Sequence, residues 1–226
     1  MEIFYSLFAA CAAMLGVFAV LKFYKWVENN SFLIINFVAG MILTITFVHL
    51  IPEGFSLNPK VMMYVFYGFL TTFCLQYCNK YFEYIKITSV FGLSLHSVID
   101  GLIIAIGFRS DSKLAVLTTL AILLHKLPDG ITISGILLHN GASKRKILNF
   151  SLITSCFTPI GTIIGMFIFK NMSMIALGSL LGITSGSLIF LAASDLIPEA
   201  YKSNNKLAFL MLFVGVIITI IAEYFI

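Results

Sequence analysis

The chain has 226 residues, 60% of them hydrophobic and 11% charged, with a formal net charge of +4 and a mean hydropathy of +1.03. Soluble domains hold roughly 45–50% apolar and about 25% charged residues, so a water-soluble globule is excluded. The few cations are spread between apolar runs rather than gathered in one block, which excludes a nucleic-acid surface.

At about 20 apolar residues per span, eight helices are predicted, at residues 2–24, 32–53, 61–78, 86–107, 113–138, 145–169, 175–199 and 206–226. Almost nothing remains for a soluble domain, so residues 1–226 read as one polytopic membrane domain embedded in a lipid bilayer. The first helix opens Met1-Glu2-Ile3-Phe4, without a positive n-region or a small-residue cleavage site, and is expected to be retained rather than removed as a signal. The second closes with His49-Leu50-Ile51-Pro52-Glu53. The third carries Cys74 and Cys78 on one face; like Cys11 and Cys156 they lie in apolar runs and are expected to pack as small hydrophobes. The fourth contains His96-Ser97-Val98-Ile99-Asp100-Gly101, and the fifth repeats the pattern as His125-Lys126-Leu127-Pro128-Asp129-Gly130. In the sixth, Thr158 precedes Pro159-Ile160-Gly161, and the seventh closes with Asp195-Leu196-Ile197-Pro198-Glu199, echoing the end of the second.

Basic residues in short loops set orientation. With the N-terminus outside, Lys22, Lys25, Lys80, Lys86, Lys144, Arg145, Lys146, Lys202 and Lys206 fall on the cytoplasmic side, against Lys60, Arg109, Lys113 and Lys170 outside. Both termini are therefore expected to be extracellular. Helices two and seven then run in opposite directions, and the same offset of five maps helices 1–3 onto 6–8. Helices 4 and 5 remain as a central antiparallel pair, giving a 3+2+3 inverted repeat, an architecture that transporters build around a midplane site.

Ionisable side chains within a bilayer are costly unless paired. Residues four apart share a helix face, so His96 with Asp100 and His125 with Asp129 each present an imidazole and a carboxylate together. Two such faces meeting form an N₂O₂ ligand set suited to Zn²⁺ and also to Fe²⁺, Mn²⁺ or Cd²⁺, with no net charge once a divalent ion is bound. The plainer alternative is a His–Asp hydrogen bond that only ties helices, and its recurrence in two matched copies favours the ligand reading. Pro128 cannot donate to the Leu124 carbonyl and is expected to loosen that turn, while Gly101 and Gly130 allow close helix approach. Lys126 lies about 100° round the helix from His125 and is expected to pair with Asp100 or Asp129, placing a fixed positive charge beside the ligands. His49 with Glu53, and Asp195 with Glu199, put one polar pair at each end of a permeation route, unless they are simply solvated helix ends. His139 is expected in a cytoplasmic loop as a surface residue.

The two His-x-x-x-Asp-Gly motifs on the fourth and fifth of eight helices resemble the ZIP (Zrt/Irt-like) family of divalent metal transporters, over the whole chain in helix count and motif order. The resemblance implies a transport site between helices 4 and 5, movement of metal toward the cytoplasm, and roles for the pairs on helices 2 and 7 in the inlet and release paths. Many family members hold two metals, using an Asn after the first His, an acid after the second, and an acid before Pro-x-Gly on helix six. Those positions are Ser97, Lys126 and Thr158 here, so a single-metal site is expected. The His-rich cytoplasmic loop of some members is missing.

The expected function is transport of a divalent cation, Zn²⁺ foremost, with no cofactor beyond the transported metal. The plasma membrane is the expected location, and a homodimer is the expected self-association. A proton channel or proton-coupled solute carrier using the His/Asp cluster is the alternative. An intramembrane metallohydrolase is disfavoured because the His-Glu-x-x-His arrangement is missing.

Overall fold

Two prolines shape the second and seventh predicted spans. Pro52 and Pro198 lack the N–H that would pair with the carbonyl four residues back, and their rings crowd that carbonyl. In both spans the turn just before the proline is widened into a π-helix, at Ile45–Leu50 and at Leu191–Leu196. Such a turn re-routes the hydrogen bonds around a distortion and is frequent at functional sites. The widened turns hold His49 and Asp195 respectively, the first polar residue of each echo. Proline alone does not impose this, because Pro128 and Pro159 sit inside uninterrupted α-helices.

The computed structural model describes residues 1–82, 87–110, 112–167, 173–201 and 206–224. In chain order the helices are α1 (Glu2–Lys22), α2 (Tyr24–Asn29), α3 (Ser31–Thr44), α4 (Ile51–Leu57), α5 (Val61–Phe82), α6 (Ile87–Ser110), α7 (Ser112–His139), α8 (Lys144–Phe167), α9 (Met174–Phe190), α10 (Ile197–Tyr201) and α11 (Lys206–Tyr224). The first π-turn joins α3 to α4 and the second joins α9 to α10. Each predicted span is helical over its described residues, and no strand occurs among them. Four helical stretches, Glu2–Lys22, Ser31–Leu57, Lys144–Phe167 and Met174–Leu196, are long and apolar enough to cross a membrane; Val61–Tyr77, Gly92–Phe108 and Lys206–Ile221 are shorter apolar helices. Of the cations used to orient the chain, Lys86, Lys170 and Lys202 lie outside the described residues.

The packing maps onto itself when spans 1, 2 and 3 are exchanged with 6, 7 and 8, and span 4 with 5. Helix α1 packs on α7 as α8 packs on α6; α5 packs on α9 as α11 packs on α3; α3 meets α7 as α9 meets α6. The two sequence repeats interlock instead of forming separate three-helix units: α1, α6, α7 and α8 make one group, and the remaining long helices make the other.

Glycines set the closest approaches. A Cβ on Gly101 would run into the backbone of Thr158 to Thr162, and one on Gly161 into the carbonyl of Val98. The exchanged pair does the same, Gly130 lying on the backbone of Ala13 and Gly16 on that of Leu127 to Ile131. The glycines after each motif Asp therefore draw the outer helices α8 and α1 onto the central pair; they do not bring α6 and α7 onto each other. Small residues serve here because lipid supplies no hydrophobic drive between helices, and close van der Waals contact takes its place.

Candidate metal site

On α6, the 3.6-residue helical turn stacks His96 and Asp100 on one face, which points inward: both residues are 1% exposed. Facing them, α7 brings Lys126 and Asp129. His96 Nε2 lies 3.5 Å from Asp100 Oδ2 and 3.7 Å from Asp129 Oδ2. Each of these three residues offers one ligand atom, all within 4.8 Å of one another. The side chain of His125, expected to be the fourth ligand, lies outside the described residues; its backbone is in α7.

The sequence suggests that Lys126 pairs with one carboxylate, and the structure gives it both. Its ammonium stands 2.6 Å from Asp100 Oδ2 and 2.9 Å from Asp129 Oδ2, and it donates to Ser97 Oγ at 3.0 Å. An ammonium has three protons to donate, and these three acceptors match them. At 1% exposure Lys126 is among the largest fully buried side chains, so it does not snorkel to an interface. The centre is a cation bracketed by two acids from facing helices, with a histidine along one edge.

A small cavity adjoins this cluster, lined by Ala13, Leu93, Ser97, Lys126, Asp129 and Gly130, together with Ile133, Thr154 and Ser155. Thr154 and Ser155 were not singled out in the sequence. The signal was present in the spacing of Ser151, Thr154, Ser155, Thr158 and Thr162, a hydroxyl stripe at intervals of three and four that is buried along α8. Thr158, expected beside the second-metal position, is fully buried, and its backbone packs on Gly101. It is not among the cavity residues, and its hydroxyl has no hydrogen-bond partner among the described residues.

The outlying pairs fall as follows. His49 Nε2 and Glu53 Oε2 are 3.6 Å apart across one turn, half-buried. Asp195 is half-buried in the second π-turn and accepts a hydrogen bond on Oδ1 from Gln76 Nε2 of α5, a residue the sequence did not flag. The side chain of Glu199 lies outside the described residues. His139 is the last residue of α7 rather than a loop residue, and its ring meets Phe32 edge-on, with centroids 5.4 Å apart. The helix running one residue further than the predicted 113–138 accounts for the difference. Cys11, Cys74 and Cys156 are free and lie on the outer surface of the bundle; Cys78 lies outside the described side chains.

Residues 79–223, which include both His-x-x-x-Asp motifs, match the family described as ZIP Zinc transporter. The chain belongs to the ZIP zinc transporter family. A protein of Methanocaldococcus jannaschii described as uncharacterized is 30% identical over 195 residues, covering 79% of this ZIP chain and 78% of the relative. An uncharacterized zinc transporter of Schizosaccharomyces pombe is 32% identical over 120 residues, 49% of the chain and 26% of that protein. Human zinc transporter SLC39A7 is 30% identical over 128 residues, 54% of the chain and 27% of that protein. The matched stretch is thus about a quarter of the length of these two eukaryotic relatives.

Proposed function

We propose that this protein carries a divalent metal cation, Zn²⁺ foremost, across a bilayer toward the cytoplasm, using one intramembrane site formed by His96, Asp100, His125 and Asp129 between α6 and α7. The observation that carries the reading is the buried Lys126 ammonium between two carboxylates beside His96. The centre accommodates positive charge, and its donors are of the kind that zinc takes up. The zinc transporters of Schizosaccharomyces pombe and human described above support Zn²⁺ as the cargo.

In this reading Lys126 is an internal stand-in for the metal. An arriving ion displaces the ammonium from at least one carboxylate, and the ammonium returns when the ion leaves, so the acidic pair is never left unpaired between helices. The lysine also argues for one metal rather than two. A +1 and a +2 charge about 4 Å apart repel by roughly 8 kcal/mol at an effective dielectric near 20. Ser97 and Thr158 oppose that only with neutral hydroxyls.

The rest of the proposal follows the sequence. All eight predicted spans cross the membrane, both termini are extracellular, and the 226 residues work as one transport unit in the plasma membrane. His49 and Glu53 line the external inlet, and Asp195 and Glu199 line the cytoplasmic release path. Purified protein in liposomes, with a metal-sensitive dye inside and a panel of ions outside, tests the function; Zn²⁺ influx above protein-free vesicles is expected. Proton conductance without metal flux would replace the proposal with a proton channel. For orientation, an impermeant thiol reagent outside intact cells should label Glu53→Cys far faster than Glu199→Cys.

A further inference from the structure

We infer that Gln76 is a positioning residue on the release side: its carboxamide holds the Asp195 carboxylate in the widened turn of the seventh span, and its neutrality keeps that station weak enough to let the metal go. This rests on the transport reading above, with Asp195 on the release path.

Around Gln76, α5 turns Phe73, Leu75 and Tyr77 outward, all exposed on the surface of the bundle. A half-buried amide on so apolar a helix needs a polar partner, since an unpaired amide in lipid is costly. Its Nε2 donates to Asp195 Oδ1. Asp195 itself sits in the π-turn Leu191–Leu196. The amide ties its carboxylate to a neighbouring helix, and the amide carbonyl oxygen is a neutral acceptor that a passing cation can use.

The internal repeat gives the neutrality a meaning. With Pro52 matched to Pro198, His49 falls at the position of Asp195; with Gly68 matched to Gly215, Gln76 falls at the position of Glu223. The glycine match is physical, because Gly68 packs on the backbone of Ile183 as Gly215 packs on that of Phe37. The α11 position in the repeat thus carries an acid where the α5 position carries its amide. Affinity at oxygen-ligand sites follows the number of charged ligands, so an amide beside Asp195 makes a station that binds and releases.

A merely structural tie predicts something different, and the molecule contains the control. One turn away on α5, Thr72 Oγ1 donates to Ser187 Oγ at 2.9 Å, joining α5 to α9 with no carboxylate involved. The experiment measures initial rates of Zn²⁺ uptake in proteoliposomes, at matched reconstitution, for wild type, Gln76→Leu, Gln76→Glu, Thr72→Val, Asp195→Asn and the Gln76→Leu/Asp195→Asn double variant. Gln76→Glu is expected to lower Vmax about five- to tenfold while KM falls, because the added carboxylate retains the ion. Gln76→Leu should lower Vmax about threefold with KM little changed, and the double variant should be no slower than Asp195→Asn alone, since residues acting as one unit are non-additive. Thr72→Val should match wild type. If Asp195→Asn is impaired while both Gln76 variants keep wild-type kinetics, or if the double variant is additive, the inference about Gln76 is overturned and the release path stands. If Asp195→Asn itself transports like wild type, the release path fails first and takes the inference with it.

Discussion

On α6 the residue after the motif histidine is Ser97, and His96 and Asp100 are both 1% exposed, facing inward as a pair. On α7 the matching residue is Lys126, whose ammonium reaches across the helix interface to Asp100 at 2.6 Å while staying 2.9 Å from Asp129 on its own helix. One sequence pattern, placed on two helices that the internal repeat exchanges, thus ends in two chemistries. The α6 arm offers an acceptor and candidate ligands, and the α7 arm adds an ammonium that contacts Ser97 and both acids. Two facing carboxylates in a low-dielectric interior repel strongly; one ammonium between them leaves a net charge of −1, and a divalent ion would leave none. In the transport reading proposed above, the difference between the arms makes metal binding an exchange of cations instead of the filling of a void.

The most damaging way to break the comparison is to remove the acid that both arms share. Asp100→Ala leaves Lys126 buried with Asp129 and Ser97 only, and breaking a buried ion pair from one side costs about 3–5 kcal/mol. Zinc uptake should fall about a hundredfold or more, since even outer-shell changes at metal sites cost about 10–100-fold. Radioactive zinc uptake at matched membrane expression checks this, with thermal melting in detergent to register the stability loss. Uptake at the wild-type rate would remove Asp100 from the ligand set.

Removing the cation sharpens the comparison. Lys126→Met keeps much of the volume and leaves the two carboxylates facing each other, so the metal-free protein should melt earlier than wild type. Zinc should then raise its Tm by more than it raises that of wild type, because the ion no longer competes with an ammonium and ligand stabilisation grows with affinity. Equal zinc-induced shifts in the two proteins would show that Lys126 does not occupy the metal's place. Crystals of the wild-type protein soaked in Cd²⁺ should give one anomalous peak between α6 and α7, and two well-occupied peaks within about 5 Å would contradict the charge argument.

Much of this was legible in the sequence, and the gaps have physical causes. The helices and the 1–3 to 6–8 correspondence follow from hydropathy and from two short echoes, because a bilayer leaves the backbone few alternatives to helix. The pairing of helices was not legible. That α1 and α8 leave their own repeats to flank α6 and α7 depends on where Gly16, Gly101, Gly130 and Gly161 let backbones touch, and a glycine does not announce its partner. That His96 and Asp100 share one buried face of α6 was readable because i and i+4 share a face. Lys126 bridging both acids was not, since a side chain with four rotatable bonds can reach several partners and burial decides among them. Gln76 carried no local signal at all; the role proposed for it rests on a hydrogen bond to Asp195 across 119 positions of sequence.

The flanking helices offer a milder break. Gly101→Ala and Gly130→Ala each force a methyl into the backbone of a neighbour, α8 in one case and α1 in the other. Overpacking of this kind costs about 1–3 kcal/mol. Because the two contacts are exchanged by the repeat, the losses measured by denaturation in detergent should be similar. A loss confined to one variant would mean that the two arms are not seated equivalently.

The smallest effects separate hydroxyls that serve the cation from those that only border the cavity. Ser97 Oγ accepts from Lys126 at 3.0 Å, and a hydrogen bond to a charged group is worth about 1.5–3 kcal/mol. Ser97→Ala should therefore lower stability measurably and, by freeing the ammonium from one of its three holders, make it easier for zinc to displace. Thr154 and Ser155 line the same cavity, but their hydroxyl protons are already committed to their own helix. Thr154 Oγ1 donates to the carbonyls of Phe150 and Ser151, each at 3.0 Å, and Ser155 Oγ donates to that of Ser151 at 2.8 Å. Thr154→Val and Ser155→Ala should consequently change stability by less than about 1 kcal/mol and leave zinc affinity near wild type. Isothermal titration with zinc distinguishes the cases: tighter binding in Ser97→Ala, with little change in the two α8 variants, places the hydroxyl that matters on the α6 arm. An equal change in all three would mean that the cavity's polarity, rather than the hold on Lys126, sets the affinity.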